Sequence, residues 1–595
     1  MAGVMPTTAS PTTAAAGRPL RRDHWAVILI LGCYLLAAMA VTWRLWADPA
    51  SRMVAGNPND ADFFAWFLRY DASAVAHGRL PALVTAAMNA PQGINVMWNT
   101  SLLLPGVLLT PVTLLFGPQA SLTLLMTAGF AGSAAALFLV LRRWDVSTGS
   151  AALAGAVYGF SPALLQAGIG HYNLQFAVLP PLIADAVLRL CLRSRAPVRD
   201  GSWLGLVATA QFFTGEELLL LTAIAVVLLV AVLALGRPRA IPGRAAVVAA
   251  GVGVAAAVML LLAGYALWVQ FFGPLTQRGS SFLLDFYKND LTGFVTPSGY
   301  LLFHTAASAA TAASYQGGAP EYLAYLGWPL IGLLAVAALA CWRQPAVRAA
   351  AVTLAVLELL SLGGHPLVGG TVQPGVTLPW HWLEGVPVIG TALPDRLSIV
   401  ADGVAAALLA FALDRARAWS AAARWARARW LAPVAAAVAV AACLPLVPRP
   451  LPAAQTAPVP AGWSAAFTAL HLPAHARVLV VPVPTATLTS ALRWQADTGE
   501  PSSLIGGYFV GPAWNGLAYV EGNGVAVTAQ YLDRIWSGGP LAPAPARSQV
   551  QSDLDNWRPA AVVAVTRLDS PLGHYLVGLF GRPAIQSGSV LAWRR

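Results

Sequence analysis

The chain has 595 residues, of which 57% are apolar and 10% charged, and its mean hydropathy is +0.64. Soluble domains carry about 25% charged residues, so the composition excludes a soluble globular protein and points to an integral membrane protein. A net charge of +11 could suit nucleic acid, but the arginines sit in short loops between apolar runs, where the positive-inside rule accounts for them and no nucleic-acid partner is needed.

Residues 1–24 are rich in Ala, Thr and Pro and end in Arg18, Arg21 and Arg22. They read as a disordered cytoplasmic tail. Residues 25–46 form an apolar run with Trp25 and Trp46 at its ends. At about 20 residues it is long enough to span a bilayer and too long for a signal-peptide core. The outer loop 48–100 follows. It gathers Asp60, Asp62 and Asp71 among aromatic residues, then turns at Pro91-Gln92-Gly93 before Trp98 and Asn99. Residues 102–116 contain Pro105 and Pro111 and read as a short, broken re-entrant or interfacial segment.

Further apolar runs follow at 119–141, 150–168, 174–192, 203–214, 218–236, 245–271, 322–341, 349–363, 397–413 and 430–447. Together these make about eleven transmembrane helices. With the amino end in the cytoplasm, the arginine clusters at 142–143, 193–199, 237–244, 343–348 and 415–429 all fall on the cytoplasmic side. The acid-bearing loops 48–100, 272–320 and 364–395 then lie outside. No internal repeat of the kind found in many transporters is visible.

Past a Pro-rich linker the character changes. Residues 476–484 and 559–565 are Val-rich and strand-like, 589–595 reads as a closing strand, and 530–536 and 552–557 read as helical. The expected architecture is therefore a multi-span α-helical membrane domain over 25–447 and a small extracytoplasmic α/β domain over 448–595. In that second domain Arg493, Trp494, Asp497 and the turn at 506–512 could bind a glycan or simply belong to the fold. The four cysteines lie inside or at the edge of apolar runs, so they read as small core hydrophobes. No Walker A, strand-borne GxGxxG, HExxH or CxxC occurs, which leaves ATP-driven transport and zinc chemistry without support.

An acid just outside a membrane helix could serve as general base toward an acceptor hydroxyl, or help to hold a divalent cation beside a phosphate. Asp60 and Asp62 are the candidates. The sequence Asn57-Pro58-Asn59-Asp60 is equally a helix start, with the acids capping or solvating it. His171 and Asn173 stand where the 150–168 run exits, placed to bind a phosphate or sugar hydroxyl or to form an interfacial turn. Glu216 and Glu217 lie in a tight turn between apolar runs, and acids at such depth commonly mark function. Arg278, Lys288 and Arg396 are basic groups on the outer side that suit a lipid phosphate; Arg396 could as well be an interfacial residue beside the helix-capping Asp395. His304, Tyr315 and Glu321 are weaker candidates. Asp71 is expected on the solvated face of an amphipathic helix, and Asp185 and Glu358 are left to the spans.

The stretches 59–68 (NDADFFAWFL), His77-Gly78, 90–106, 159–176 and 393–400 resemble the GT-C superfamily of membrane glycosyltransferases, and within it an actinobacterial branch. The likeness covers most of 25–415. It implies sugar transfer from a polyprenyl-phosphate donor to a glycan, lipid or protein acceptor of the cell envelope, at the outer face of the cell membrane. It implies that Asp60, six residues before Trp66, is the first-loop acid, with Asp62 as its substitute; the paired Asp-Glu often found there is absent. Trp66 and Trp98 would stack on sugar faces. The rival functions are a transporter or flippase for lipid-linked glycans and a non-catalytic envelope-assembly protein.

Overall fold

The computed structural model describes residues 20–236, 238–282, 285–422, 430–540 and 543–595. The expected tail over 1–24 falls almost wholly outside them. Helix α1 (Leu20–Trp46) leads through strand β1 (Arg52–Val54) into α2 (Pro58–Ala76), and a two-residue ladder of β2 (Val84–Thr85) with β3 (Ile94–Asn95) closes the first loop. The segment 102–116 is two short helices, α3 (Leu103–Leu108) and α4 (Thr110–Phe116). Then come α5 (Pro118–Arg143), α6 (Thr148–Gly159), α7 (Pro162–Ala167), α8 (Tyr172–Gln175), α9 (Leu179–Leu192), α10 (Pro197–Phe212), α11 (Glu216–Leu235) and α12 (Ile241–Phe272). The second long loop carries α13 (Ala306–Ala313) and leads to α14 (Trp328–Ala340) and α15 (Pro345–Ser361). A short ladder, β4 (Leu367–Val368) with β5 (Thr371–Val372), precedes α16 (Leu397–Ala422) and α17 (Leu431–Cys443).

This is a helical membrane protein. Among the described residues five helices are long and apolar enough to cross a bilayer: 24–46, 118–143, 216–235, 241–272 and 394–422. Two runs read as single spans are broken instead. The 150–168 run splits between α6 and α7 at Phe160-Ser161, because Pro162 has no N–H to continue the ladder and Ser161 caps a new helix by accepting from the Leu164 N–H at 3.3 Å. The 174–192 run begins as the single turn α8, then restarts at α9 with Pro180 and Pro181 in its first turn.

After α17, β6 (Ala453–Gln455) pairs antiparallel with β1, Arg52 opposite Gln455. The carboxyl-terminal part continues with α18 (Trp463–Leu470), β7 (Arg477–Val481), α19 (Ser490–Thr498), β8 (Ser503–Leu504), the hairpin β9 (Val510–Pro512) and β10 (Ala518–Val520), α20 (Val527–Trp536), α21 (Arg547–Trp557), β11 (Ala561–Val565), α22 (Pro571–Phe580), β12 (Ile585–Ser587) and β13 (Val590–Arg594). Five strands form one sheet in the order β12-β13-β11-β7-β8. Strands β11, β7 and β8 run parallel, with Val563 opposite Val480; β13 and β12 close the edge antiparallel. Its central strands are buried on both faces, which is why they read as continuous Val-rich runs rather than alternating ones.

The sheet's helix α19 lies on α2. Thr489 donates to Asp62 at 2.8 Å, and the Trp66 indole donates to Gln495 at 2.7 Å. Arg493 is completely buried and reaches Asp497 at 2.8 Å, Gln119 at 2.9 Å and Asp62 at 3.8 Å. Three helices from distant parts of the chain thus share one buried guanidinium. A charge so placed is tolerated only because its donors are satisfied.

Candidate active site

Helix α2 starts where its sequence says it should. Asn57 caps it, Pro58 occupies the first turn, and Asp60 sits where an acid favours the helix dipole. The Asn57 amide donates to Asp60 Oδ2 at 2.6 Å. Asn57 in turn needs Gly170, whose φ is +115° and where a Cβ would lie 2.7 Å from the Asn57 amide nitrogen. The next residue, His171, is thereby brought over Asp60.

A row of polar side chains grows from this contact. The Tyr508 hydroxyl donates to Asp60 Oδ1 at 2.8 Å. His171 Nε2 stands 3.3 Å from Asp60 Oδ2, and its Nδ1 lies 3.6 Å from Glu321. Glu321 accepts from Arg396 at 2.5 Å, and the other arm of Arg396 contacts Glu217. Glu217 also accepts the Leu393 N–H at 3.0 Å. Asp60 and His171 are partly exposed at 13% and 17%, whereas the Glu321 side chain is only 3% exposed. Arg396 and Glu217, at the far end, are 11% and 19% exposed, so only Glu321 in the middle of the row is shut from solvent. Asp60, His171, Glu217 and Arg396 each stand at a helix start, so four backbone ends converge here.

Burial pushes the Asp60 carboxyl up, but the hydrogen bond and charge of His171, with the donors Tyr508 and Asn57, outweigh it and hold Asp60 below the ordinary carboxylate range. Glu321 behaves alike: burial raises it, while Arg396 and His171 bring it lower. Burial and the Asp60 charge raise Tyr508, so its hydroxyl stays a donor. Asp60 is thus a carboxylate with two fixed donors and one partly exposed side, an arrangement that can accept a proton from a substrate hydroxyl. A cavity of about 20 Å³ behind Glu321, lined by Gln166, Lys288, Asp290 and Tyr315, has room for about one water molecule. Among the described residues no three His, Cys, Asp or Glu side chains converge as a metal-binding group.

The other candidates lie elsewhere. Asp62 faces Thr489 and Arg493, and burial pushes it up to about 6 against their pull. Trp66 is buried against Gln495 and stacks on Tyr70, so its face is not free for a sugar. Trp98 braces the loop against α12, donating to the Gln270 carbonyl at 2.6 Å and meeting Phe271 edge-on. Asn173 is buried and packs near Gly215, at the start of α11. Glu216 joins the row through no side-chain hydrogen bond among the described residues; its neighbour Glu217 does. Arg396 is not a free cation, because two carboxylates hold it. Lys288 is likewise taken: its side chain is 1% exposed and donates to Asp285 at 2.7 Å. Arg278 is exposed, and its backbone joins the β9–β10 hairpin, the N–H donating to Gly516 and the carbonyl accepting from Ala518.

Asp71 overturns its expected solvated position. It is fully buried, with both carboxyl oxygens unpartnered, and burial raises it well above the ordinary range. It packs so closely on α3 that a Cβ on Gly106 would lie 2.1 Å from Oδ2. Tyr508 carries no local signal beyond a Gly-Gly-Tyr turn, and its partner lies 448 residues away in the chain.

No family model matches the sequence, and no curated protein matches it. Solved structures do. A mutant form of the arabinofuranosyltransferase AftD from Mycobacteria aligns with 96% of this chain and 41% of its own, at 16% identity and a TM-score of 0.51. The two chains share an overall fold. This chain spans about two fifths of the length of that mycobacterial protein. The archaeal oligosaccharyltransferase AglB from Archaeoglobus fulgidus aligns at 12% identity, covering 92% of this chain and 70% of its own, with a TM-score of 0.45. ArnT from Cupriavidus metallidurans, bound to undecaprenyl phosphate, aligns at 12% identity over 96% of this chain and 98% of its own, with a TM-score of 0.44.

Proposed function

We propose that this protein is a membrane glycosyltransferase that moves a sugar from a polyprenyl-phosphate donor to a hydroxyl-bearing acceptor of the cell envelope. In this reading the membrane domain has about eleven spans, the amino end is cytoplasmic, and both the Asp60 row and the carboxyl-terminal sheet lie outside. The observation that carries the reading is a partly exposed Asp60 held by Tyr508, Asn57 and His171 at one end of a row of paired charges.

The reaction is a direct displacement. Asp60 accepts the acceptor's hydroxyl proton, the freed oxygen bonds to the anomeric carbon, and the bond from that carbon to the phosphate oxygen breaks. The phosphate leaves with the electron pair, and stabilising the charge that develops there is the largest demand on the site. Of the three basic residues considered for it, Lys288 and Arg396 are already paired with carboxylates. Arg278 has no carboxylate partner among the described residues, and it is fixed to a hairpin that begins two residues after Tyr508. We assign the leaving phosphate to Arg278.

The test is sugar transfer by purified full-length protein in nanodiscs, over a panel of labelled polyprenyl-phosphate sugars with envelope glycan acceptors, with and without divalent cation. Wild type and Asp62→Asn should transfer, and Asp60→Asn should not. Full transfer by Asp60→Asn removes Asp60 from the chemistry. No transfer by wild type from any donor favours a carrier of lipid-linked glycans.

A further inference from the structure

A second feature lies away from the charge row. A cavity of about 550 Å³ opens among α5, α6, α9, α11, α15 and α16, within the range of about 300–1,000 Å³ typical of small-molecule sites. Along α16 its wall runs from Val400 to Ala418, about 27 Å at 1.5 Å per residue. A wall of that length can run alongside a hydrocarbon chain. Small side chains make the space: Ala225, Ala349, Ala350, Gly403 and Ala407 line it where bulkier residues would fill it.

The lining is graded. Toward Val400 and Pro180 it is apolar, while Trp144, Asp145, Gln344, Asp414 and Arg415 lie together at the arginine-rich end. The acids at that end are already engaged. Asp185 is fully buried and held by Arg143 at 3.1 Å, Arg189 at 3.8 Å and the Trp144 indole at 2.8 Å. Asp414 accepts from the backbone and hydroxyl of Ser147, at 2.8 and 2.5 Å. Asp145 stands 3.8 Å from Arg193. Arg415 rests over the Trp419 ring at 5.1 Å and has no carboxylate partner among the described residues. Among the described lining residues, Arg415 is the cation left over at the mouth of the slot.

We propose that this slot holds the acyl chain of an anionic phospholipid, with its phosphate on Arg415, in the leaflet facing the arginine-rich ends of the helices. The complementarity is that of any basic rim at an anionic membrane surface, joined here to a built channel for the chain. Arg415 lies 19 residues along the chain from Arg396, about 28 Å along the helix. The site is therefore separate from the Asp60 row and independent of the chemistry proposed there.

Native mass spectrometry of the full-length protein, taken from nanodiscs of equal phosphatidylcholine and phosphatidylglycerol with a trace of polyprenyl phosphate, tests this. Wild type should retain one phosphatidylglycerol. Ala407→Trp, which plugs the slot, should lower retention by about tenfold, a loss of about 1.4 kcal/mol. Arg415→Glu, a surface change that spares the slot, should abolish the preference for phosphatidylglycerol over phosphatidylcholine, and Arg415→Lys should restore it. Equal retention of the two phospholipids by wild type overturns the proposal. So does preferential retention of polyprenyl phosphate, or a preference unchanged in Arg415→Glu. Should Ala407→Trp melt early, the Arg415 pair decides alone.

Discussion

Asp60 and Asp62 stand two residues apart on α2 and have opposite surroundings. A step of two residues turns a helix by about 200°, so one acid faces the partly exposed side with His171 and the other faces the α19 seam. At Asp60, His171 and two hydrogen-bond donors overcome burial and keep the carboxylate ionised. At Asp62 burial wins and lifts the carboxyl to about 6, although a guanidinium lies 3.8 Å away. Proximity to a cation does not by itself fix an acid's state; short hydrogen bonds and access to water decide it. Asp60 is the acid open to a substrate hydroxyl, although its lowered pKa makes it the weaker proton acceptor, and Asp62 joins two parts of the chain.

The sharpest break in that contrast would come from activity. Asp60→Asn should lower transfer by about 10²–10⁴, the usual scale of a general base, with melting nearly unchanged. Asp62→Asn should keep transfer within about threefold. If both lose activity alike, the two acids do not divide the work as described.

Next in size is the seam itself. Arg493→Ala leaves Asp62 buried and Asp497 half-buried without their cation, and breaking a buried pair such as Arg493–Asp62 costs about 3–5 kcal/mol. A fall in melting temperature of the detergent-solubilised protein, and loss of compactness on limited proteolysis between 448 and 595, would report it.

Asp62 also has a pH signature. Its ordinary pKa of 3.8 rises to about 6 in the fold, so between those values the folded chain holds the proton more tightly than the unfolded one. Stability from this group is full below pH 4 and falls as pH rises to about 6. Melting curves across that window should slope downward for wild type and flatten in Asp62→Asn. Asp60, held low, contributes in the opposite sense: its stabilisation is present at neutral pH and fades only as pH falls through the lowered value.

The smallest effect belongs to Trp66. Trp66→Phe loses the bond to Gln495 and should cost about 1 kcal/mol, with the KM for donor sugar unchanged. A raised KM would return Trp66 to the sugar site.

Several features were legible because they depend on local pattern. Bilayer-length apolar runs with few charges mark α1, α5, α11 and α12, since backbone polar groups must be satisfied within a membrane helix. Asn57-Pro58 marks the start of α2, because capping uses neighbours in sequence. Val-rich runs mark β7 and β11, because a parallel strand buried on both faces need not alternate. The cluster of acids drew notice to α2 by composition alone.

What each acid does lay beyond that reach. Tyr508 comes to Asp60 across 448 residues and Arg493 comes to Asp62 across 431, and no local rule carries such pairings. The same holds for Arg396, a free phosphate ligand by sequence that two carboxylates from α11 and the second loop neutralise. Asp71 looked solvated on an amphipathic helix and is buried because α3, with Gly106 at the contact, lies over it. Periodicity and punctuation determined which segments are helices, strands and turns. Only the packing of distant helix starts around one corner of α2 decided which carboxylate keeps its charge and meets water, because desolvation and charge pairing are properties of the assembled neighbourhood rather than of the chain's local order.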